Sequence, residues 1–585
     1  VSFIYFINTT FINLQEKIEK TVVEPSKEST LESVNYPLPT VEKMTDWPIH
    51  KLSQEKEEFM KYASEFTTQL LINKKRPESM SEAIAKVLYM ERMRVINEPW
   101  KVDPPDELDF WNDIRKKLLR KSLDQTEDSV EEYNHRLLRR ITERYLREIM
   151  SNFKISTYKL AQKFLPKLFS TILNATSIFR PKKSLQKRLQ IVGEVDKIRA
   201  LVPQGTVVLV PTHFSNLDSI LVGWAADQIG LSAFTYGAGI NLYNKILGYI
   251  FPRLGAYGVD RRKKNDFYLE TLKAYSQLMI ERRVHSIFFP GGTRSRSGAL
   301  EDRLKMGLLG TAVDAQGNLF QSQEGHKVFI VPVILNYHCV LEAKNLINSY
   351  LEHTGKELYL IEKKAFGGFF NFMKFFWKFF SSKSEIVVNF GTPLDVLGHP
   401  VNAAGESLDK RGNPIDLVGY FVSGGVVQND KQRNAQYTKM LSKELVKRYY
   451  TENVVLSSHL IAHTAFKLLQ KRYPSLDLYG ILRLPKEDRT LPKDLFLENV
   501  DRLRQQLLHL QAAGRVKLSN SVLTAALEDL IVHGLSNLGI FHVQKVLFAT
   551  NKGDFSSENL NLLFYYHNRL NGYQLGHLIS DKLTS

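Results

Sequence analysis

The segment Pro211-Thr212-His213-Phe214-Ser215-Asn216-Leu217-Asp218 sets an imidazole five residues ahead of a carboxylate. An Asp at that spacing, in the first turn of a helix, can curl back and hold the imidazole Nδ1–H. The tautomer is then fixed, and Nε2 is left to take a proton from a hydroxyl. Of the fifteen histidines, His213 alone has Asp at that spacing. The bland alternative is a helix-capping Asp beside a hydrogen-bonded His. Next comes Gly255-Ala256-Tyr257-Gly258-Val259-Asp260-Arg261-Arg262, where glycines permit a tight path and two guanidinium forks suit a phosphate. A solvated basic turn reads equally well there. A third segment, Phe288-Phe289-Pro290-Gly291-Gly292-Thr293-Arg294-Ser295-Arg296-Ser297-Gly298, combines adjacent glycines with Arg294 and Arg296. Backbone N–H groups freed at Gly292 and Thr293 would make an anion cradle with them, or the stretch is an ordinary Gly-rich turn. Last, Pro332 lies inside the apolar run Val328–Leu335, where a missing N–H interrupts a ladder and points to an edge or a shaped wall.

These residues need a scaffold, and the chain's texture supplies one. Short β-branched runs at Thr206–Val210, Ser286–Phe289, Val328–Leu335 and Glu385–Phe390 alternate with helical patterns. One such pattern is Asp266–Arg283, where Leu269, Leu272, Tyr275 and Met279 share a face. That alternation predicts an α/β domain over residues 190–395 with a mixed, largely parallel sheet covered by helices. Its first strand runs into His213, at the strand end where α/β folds place their sites. Residues 53–189 read as a helical N-terminal region broken at Arg76-Pro77 and Asp103-Pro104-Pro105. Residues 1–52 read as a loose arm, 396–430 as a loop or insertion, and 431–585 as a helical C-terminal domain. The 585 residues, 43% apolar and 24% charged, exclude a chain disordered throughout. The lone Cys339 excludes an intramolecular disulfide and a Cys-based zinc site. No run of 18 apolar residues occurs, and apolar Val1–Leu14 lacks the basic flank and small-residue cleavage site of a signal peptide. A net charge of +17 favours an anionic partner.

In order and spacing, His-x4-Asp, Gly-x4-Asp-Arg, Phe-Pro-x-Gly-Thr-Arg-Ser-Arg and Val-Pro-Val resemble the four-block signature of the glycerolipid acyltransferases. Three further segments are similar to the long membrane-associated glycerol-3-phosphate acyltransferases: Arg294–Gly298, Tyr337-His338-Cys339-Val340-Leu341-Glu342 and Tyr565-Tyr566-His567-Asn568. The resemblance implies an O-acyltransferase with His213 as general base and Asp218 orienting it. It implies no cofactor and no metal, only acyl-CoA or acyl-carrier protein as co-substrate. Gly255, Arg261, Gly292, Thr293, Arg294 and Arg296 would hold the phosphate of a glycerol acceptor, and Pro332 would wall the acyl side. The implied reaction acylates the sn-1 hydroxyl of glycerol 3-phosphate to lysophosphatidic acid; 1-acylglycerol 3-phosphate or dihydroxyacetone phosphate is the alternative acceptor. One departure stands out: the family usually has Glu where this chain has Gly291. Another group then compensates, acceptor choice is altered, or the protein is a catalytically idle membrane scaffold.

A membrane contact is expected at Lys363–Lys383, which holds eight Phe, Trp377 and five Lys with no acid. Phe372, Phe375, Phe376 and Phe379 follow helical spacing, and Lys374 and Lys378 fall on the other side, as in a helix lying in the interface. A helix packing its aromatic face into the core has the same pattern. The acid-free stretch Phe153–Gln190, with nine Lys or Arg, would reinforce the contact. The expected location is therefore the cytoplasmic face of a membrane, peripheral or monotopic, against an anionic surface. Nucleic acid is not an expected partner, since no reader motif occurs and the basic residues cluster beside Phe.

Overall fold

A computed structural model describes residues 38–580, apart from 75–76, 101, 124–129, 164–188, 241–242, 244–245 and 353–384. The expected membrane-contact residues Phe372, Lys374, Phe375, Phe376, Trp377, Lys378 and Phe379, and most of the basic stretch 153–190, lie outside the described residues.

Four long helices come first: α1 (Lys56–Lys74), α2 (Pro77–Asn97), α3 (Glu107–Leu123) and α4 (Val130–Ile149). The central region then runs β1 (Leu189–Gly193), β2 (Gly205–Pro211), α5 (Asp218–Gln228), β3 (Thr235–Gly239), β4 (Ala256–Val259), α6 (Asp266–Glu281), β5 (Ser286–Ile287), α7 (Met306–Gln321), β6 (Lys327–Tyr337), α8 (Ala343–Glu352) and β7 (Ile386–Phe390). Further helices follow: α9 (Lys431–Thr451), α10 (Ser457–Arg472), α11 (Lys493–Ala512), α12 (Leu527–Asn537) and α13 (Leu560–Asn571). Between β7 and α9, two short hairpins pair Ser407–Leu408 with Pro414–Ile415 and Val422–Ser423 with Val426–Val427.

The seven strands form one sheet in the order β1-β7-β6-β2-β5-β3-β4. All neighbours are parallel except β6 and β7, so β1 and β7 run against the other five. The α/β class and the largely parallel sheet expected from the sequence are therefore what the chain forms. Strand β2 is buried along its whole length because both sheet faces are covered, which is why it reads as an apolar run rather than an alternation. Val207 and Leu209 face a core built with α5, α10 and α13. Val208 and Val210 face another, built with α7 and α9. The N-terminal helices pack on α6, where Phe267, Tyr268, Leu272, Tyr275 and Met279 join Trp111, Tyr145 and Ile149.

Two expectations need correction. Leu269, placed on the buried face of the 266–283 helix, is exposed, because α6 turns that flank to solvent. Pro332 is not at an edge: β6 sits between β7 and β2, with Pro332 level with Val210. The ladder tolerates it because the missing N–H faces Gly391, where β7 ends. Gly391 N–H donates to the Pro332 carbonyl, and the next pairing, Ile330 with Leu394, is shifted by one residue. That extra residue is a bulge, one of the few interior sites open to proline.

Candidate active site

Because β2, β4, β5 and β6 are parallel, their C-terminal ends share one edge of the sheet, and each delivers one of the segments singled out above. His213 follows β2, and Asp218 opens α5. The fully buried Asp218 accepts on Oδ2 from His213 Nδ1 at 2.7 Å, Phe214 N–H at 2.6 Å and Ser215 N–H at 2.9 Å. Its Oδ1 accepts from the hydroxyl of Tyr337, at the end of β6. Four donors converge on this carboxylate, one of them Nδ1–H, so His213 carries its proton on Nδ1 and presents a bare Nε2. Asp218 does not cap α5: that helix has no side-chain cap, and the backbone donors the carboxylate holds, Phe214 and Ser215, precede it. Burial moves the His213 pKa below its usual value against the pull of Asp218, and the positive charges of Arg294 and Arg261 push the same way. The ring is neutral at neutral pH, keeps 17% of its surface open, and lies 4.2 Å from the Phe289 ring, centroid to centroid.

The third segment clasps the first. Ser295 N–H donates to the His213 carbonyl at 2.7 Å, and the His213 N–H donates to Oε1 of Glu301 at 2.9 Å. Lys305 N–H closes the loop on the Pro290 carbonyl. Arg294 lies 3.4 Å from Glu342, whose carboxylate also receives Asn216 N–H and the Ser215 hydroxyl. Glu342, beyond the end of β6, thereby ties the His213 loop to the Arg294 loop.

The second segment is anchored from outside the sheet. Arg262 and Lys263 turn inward: Arg262 pairs with Asp260 and Asp103, and Lys263 with Glu148 at 2.5 Å. Arg261 is left exposed and donates to the Gly292 carbonyl at 3.0 Å, which brings it to the third segment. Of the two guanidinium forks, only Arg261 faces the His213 side.

The structure thus gathers His213, Asp218, Arg261, Gly292, Thr293 and Arg294 at one edge, with Arg296 further along the same loop. Gly255 is elsewhere. It precedes β4 while Arg261 follows it, and four residues of strand separate them by roughly 13 Å. Its φ of +99° and the 2.7 Å a Cβ would leave to the Phe234 carbonyl explain the glycine by a tight turn, not by a phosphate. The Gly292 N–H is also committed, to the Phe289 carbonyl, so this amide is not part of an open cradle. Pro332 lies on the sheet face covered by α7 and α9, beside Gly391 and Glu452.

Four participants carried no role in the sequence reading: Glu301, Tyr337, Glu342 and Arg569. Tyr337 and Glu342 sat within a short segment singled out by resemblance, but only the fold shows what they hold. Arg569, on α13, stacks its guanidinium 3.6 Å above the Phe214 ring and donates to the Leu335 carbonyl. Burial lowers its pKa to about 10. The same helix pins the third loop, since Asn568 donates to the Ser297 carbonyl at 2.9 Å and Tyr565 packs on Gly298. One cluster has metal-ligand chemistry: His338, Glu385 and His533 bring their donor atoms within 4.8 Å of one another, with both Nδ1 atoms on serine hydroxyls. It is the only such group among the described residues, and it involves none of the side chains around His213.

Residues 192–336 match the family model described as acyltransferase. Curated relatives include proteins named glycerol-3-phosphate acyltransferase from Pseudoalteromonas atlantica, 27% identical over 48% of this chain and 31% of that protein. Others come from Alteromonas mediterranea, at 26% over 38% of this chain and 25% of that protein, and Aeromonas hydrophila, at 29% over 36% and 24%. The chain aligns with less than a third of the length of each of these three relatives.

Proposed function

We propose that the chain, whose residues 192–336 match the acyltransferase family model, transfers a fatty acyl chain from a thioester donor to the sn-1 hydroxyl of glycerol 3-phosphate. The observation that carries this reading is the Nδ1-locked, neutral His213 beside two arginines on one sheet edge. Nε2 takes the proton of the acceptor hydroxyl as its oxygen attacks the thioester carbonyl. The tetrahedral intermediate collapses, the carbon–sulfur bond breaks, and the departing thiolate recovers the proton from the imidazolium. Arg261 and Arg294 suit the acceptor's phosphate, and holding it fixes the hydroxyl against Nε2. The donor is acyl-CoA or acyl-carrier protein, and the product is lysophosphatidic acid. An acyl chain and its product belong in a bilayer, so we place the protein on an anionic, cytoplasmic membrane surface through the Phe- and Lys-rich segment 363–383. Among the described residues no helix is long and apolar enough to cross a membrane.

The test is direct. Purified protein is incubated with labelled acyl-CoA or acyl-carrier protein and with glycerol 3-phosphate, 1-acylglycerol 3-phosphate or dihydroxyacetone phosphate, alongside His213→Ala. Ester from glycerol 3-phosphate, lost in the variant, is the expected result. Ester from another acceptor alone reassigns the substrate. No ester from any pair, or unchanged ester in the variant, overturns the mechanism. For the surface, flotation with anionic liposomes should weaken when Phe375, Phe376 and Phe379 become Ser in a folded protein.

A further inference from the structure

Position 291 is a glycine with an ordinary backbone conformation, so its lack of a side chain answers to space and not to strain. That space is filled from ten residues downstream. A Cβ built on Gly291 would stand 3.1 Å from Cγ of Glu301 and 3.2 Å from its Oε1. The Glu301 carboxyl therefore occupies the volume into which a residue at 291 would project. From there Oε1 accepts the His213 N–H at 2.9 Å. The other oxygen, Oε2, is shut from solvent and has no hydrogen-bond partner among the described residues. The loop that carries Glu301 is closed on the same site, by Lys305 N–H on the Pro290 carbonyl and by Ser295 N–H on the His213 carbonyl.

An unpaired carboxyl oxygen in an interior costs free energy that packing alone does not demand; an apolar side chain would fill the gap without that penalty. What only a carboxyl or amide can do here is grip the main chain of His213. Together with Ser295 it fixes both polar groups of that residue's backbone, while Asp218 fixes the ring. Resting on the acyl-transfer reading above, we propose that Glu301 is the positioning residue for His213. It supplies from the far side of the loop the carboxyl that position 291 lacks. Burial supports the assignment by raising the Glu301 pKa to about 7, so its charge, and with it the strength of its grip, changes near neutral pH.

The test uses the full chain and the ester assay. Glu301→Ala should lower kcat on the order of 10²-fold, as misplacement of a base does, with little change in the donor KM. Glu301→Gln keeps an acceptor for the His213 N–H and should retain most of kcat. Its pH–rate profile should lack the ionisation near 7 expected of the wild-type protein. Adding Gly291→Glu to Glu301→Ala returns a carboxyl to the vacated volume and should recover about tenfold of the loss or more. If Glu301→Ala fails to fold, the Gln profile and the double variant decide. An active wild type with unchanged kcat in Glu301→Ala, or an unaltered pH profile in Glu301→Gln together with no recovery in the double variant, overturns this inference alone. A wild type that makes no ester removes its premise, and the inference falls with the acyl-transfer reading.

Discussion

The Tyr337 hydroxyl donates to one oxygen of Asp218 while the other receives Nδ1 of His213, so β6 braces the carboxylate that braces the base. Removing that hydroxyl leaves a buried carboxylate oxygen short of a donor, at about 1–3 kcal/mol. Tyr337→Phe should lower kcat roughly tenfold with substrate KM values held, since the tautomer survives on Nδ1. Asp218→Asn should be far worse, by about 10²–10⁴-fold, because an amide can donate to Nδ1 and turn the proton to Nε2. Steady-state kinetics on folded variants distinguishes the two, and equal losses would deny Asp218 its role in setting the tautomer.

The acid limb of kcat/KM follows His213. Its pKa lies below the usual histidine value of about 6.5, so the base form persists as pH falls and this limb lies below that pH, beneath the change Glu301 imposes near 7. Arg294 depresses that pKa through its charge. Arg294→Ala should therefore move the limb to higher pH, besides weakening the acceptor. A shift to lower pH would contradict the assigned field.

Adjacent arginines should behave as different kinds of residue. Arg262 is 3% exposed between Asp260 and Asp103, and Arg262→Ala strands two carboxylates. A loss of about 3–5 kcal/mol is expected, read as a fall in melting temperature. Arg261→Ala should leave the melt unchanged and raise the acceptor KM on the order of tenfold or more, the worth of a charge-assisted hydrogen bond. The same effect in both variants would refute the division.

Gly298 has φ +84°, and a Cβ there would lie 2.2 Å from the Tyr565 carbonyl oxygen. Gly298→Ala should separate α13 from the third loop. Melting should fall by an amount equivalent to about 1–3 kcal/mol, and kcat should drop with it, because Arg569 leaves Phe214. Full activity in this variant would show that the contact between α13 and the loop is dispensable.

What the sequence carried was local. His213 and Asp218 lie five residues apart, and the apolar runs of β2 and β6 need no partner to be read. Strands β1 and β3 were harder: β1 joins the end of a basic stretch, and β3, Thr-Tyr-Gly-Ala-Gly, lacks β-branched density. The helix face drawn through Leu269 failed because α6 is buried on more than one side, so periodicity could not say which flank stays wet. Gly255 was misplaced because a glycine needed for a turn and a glycine needed for a ligand look alike in one chain. Glu301 and the anchoring of Arg262 by Asp103 were invisible, since each depends on a meeting of loops or helices far apart in sequence. Gly291 marks a departure from the pattern the sequence resembles, and only the fold places a carboxyl, that of Glu301, beside the gap.

The bond from Asn568 to the Ser297 carbonyl spans 271 residues of chain. At roughly 5–20 residues per second, a ribosome takes on the order of 15–55 seconds to make that interval. Throughout that time the His213 loop exists without the helix that stacks on Phe214 and pins its neighbour. A chain that stops before α13 therefore carries His213 and both arginines without the helix that braces them.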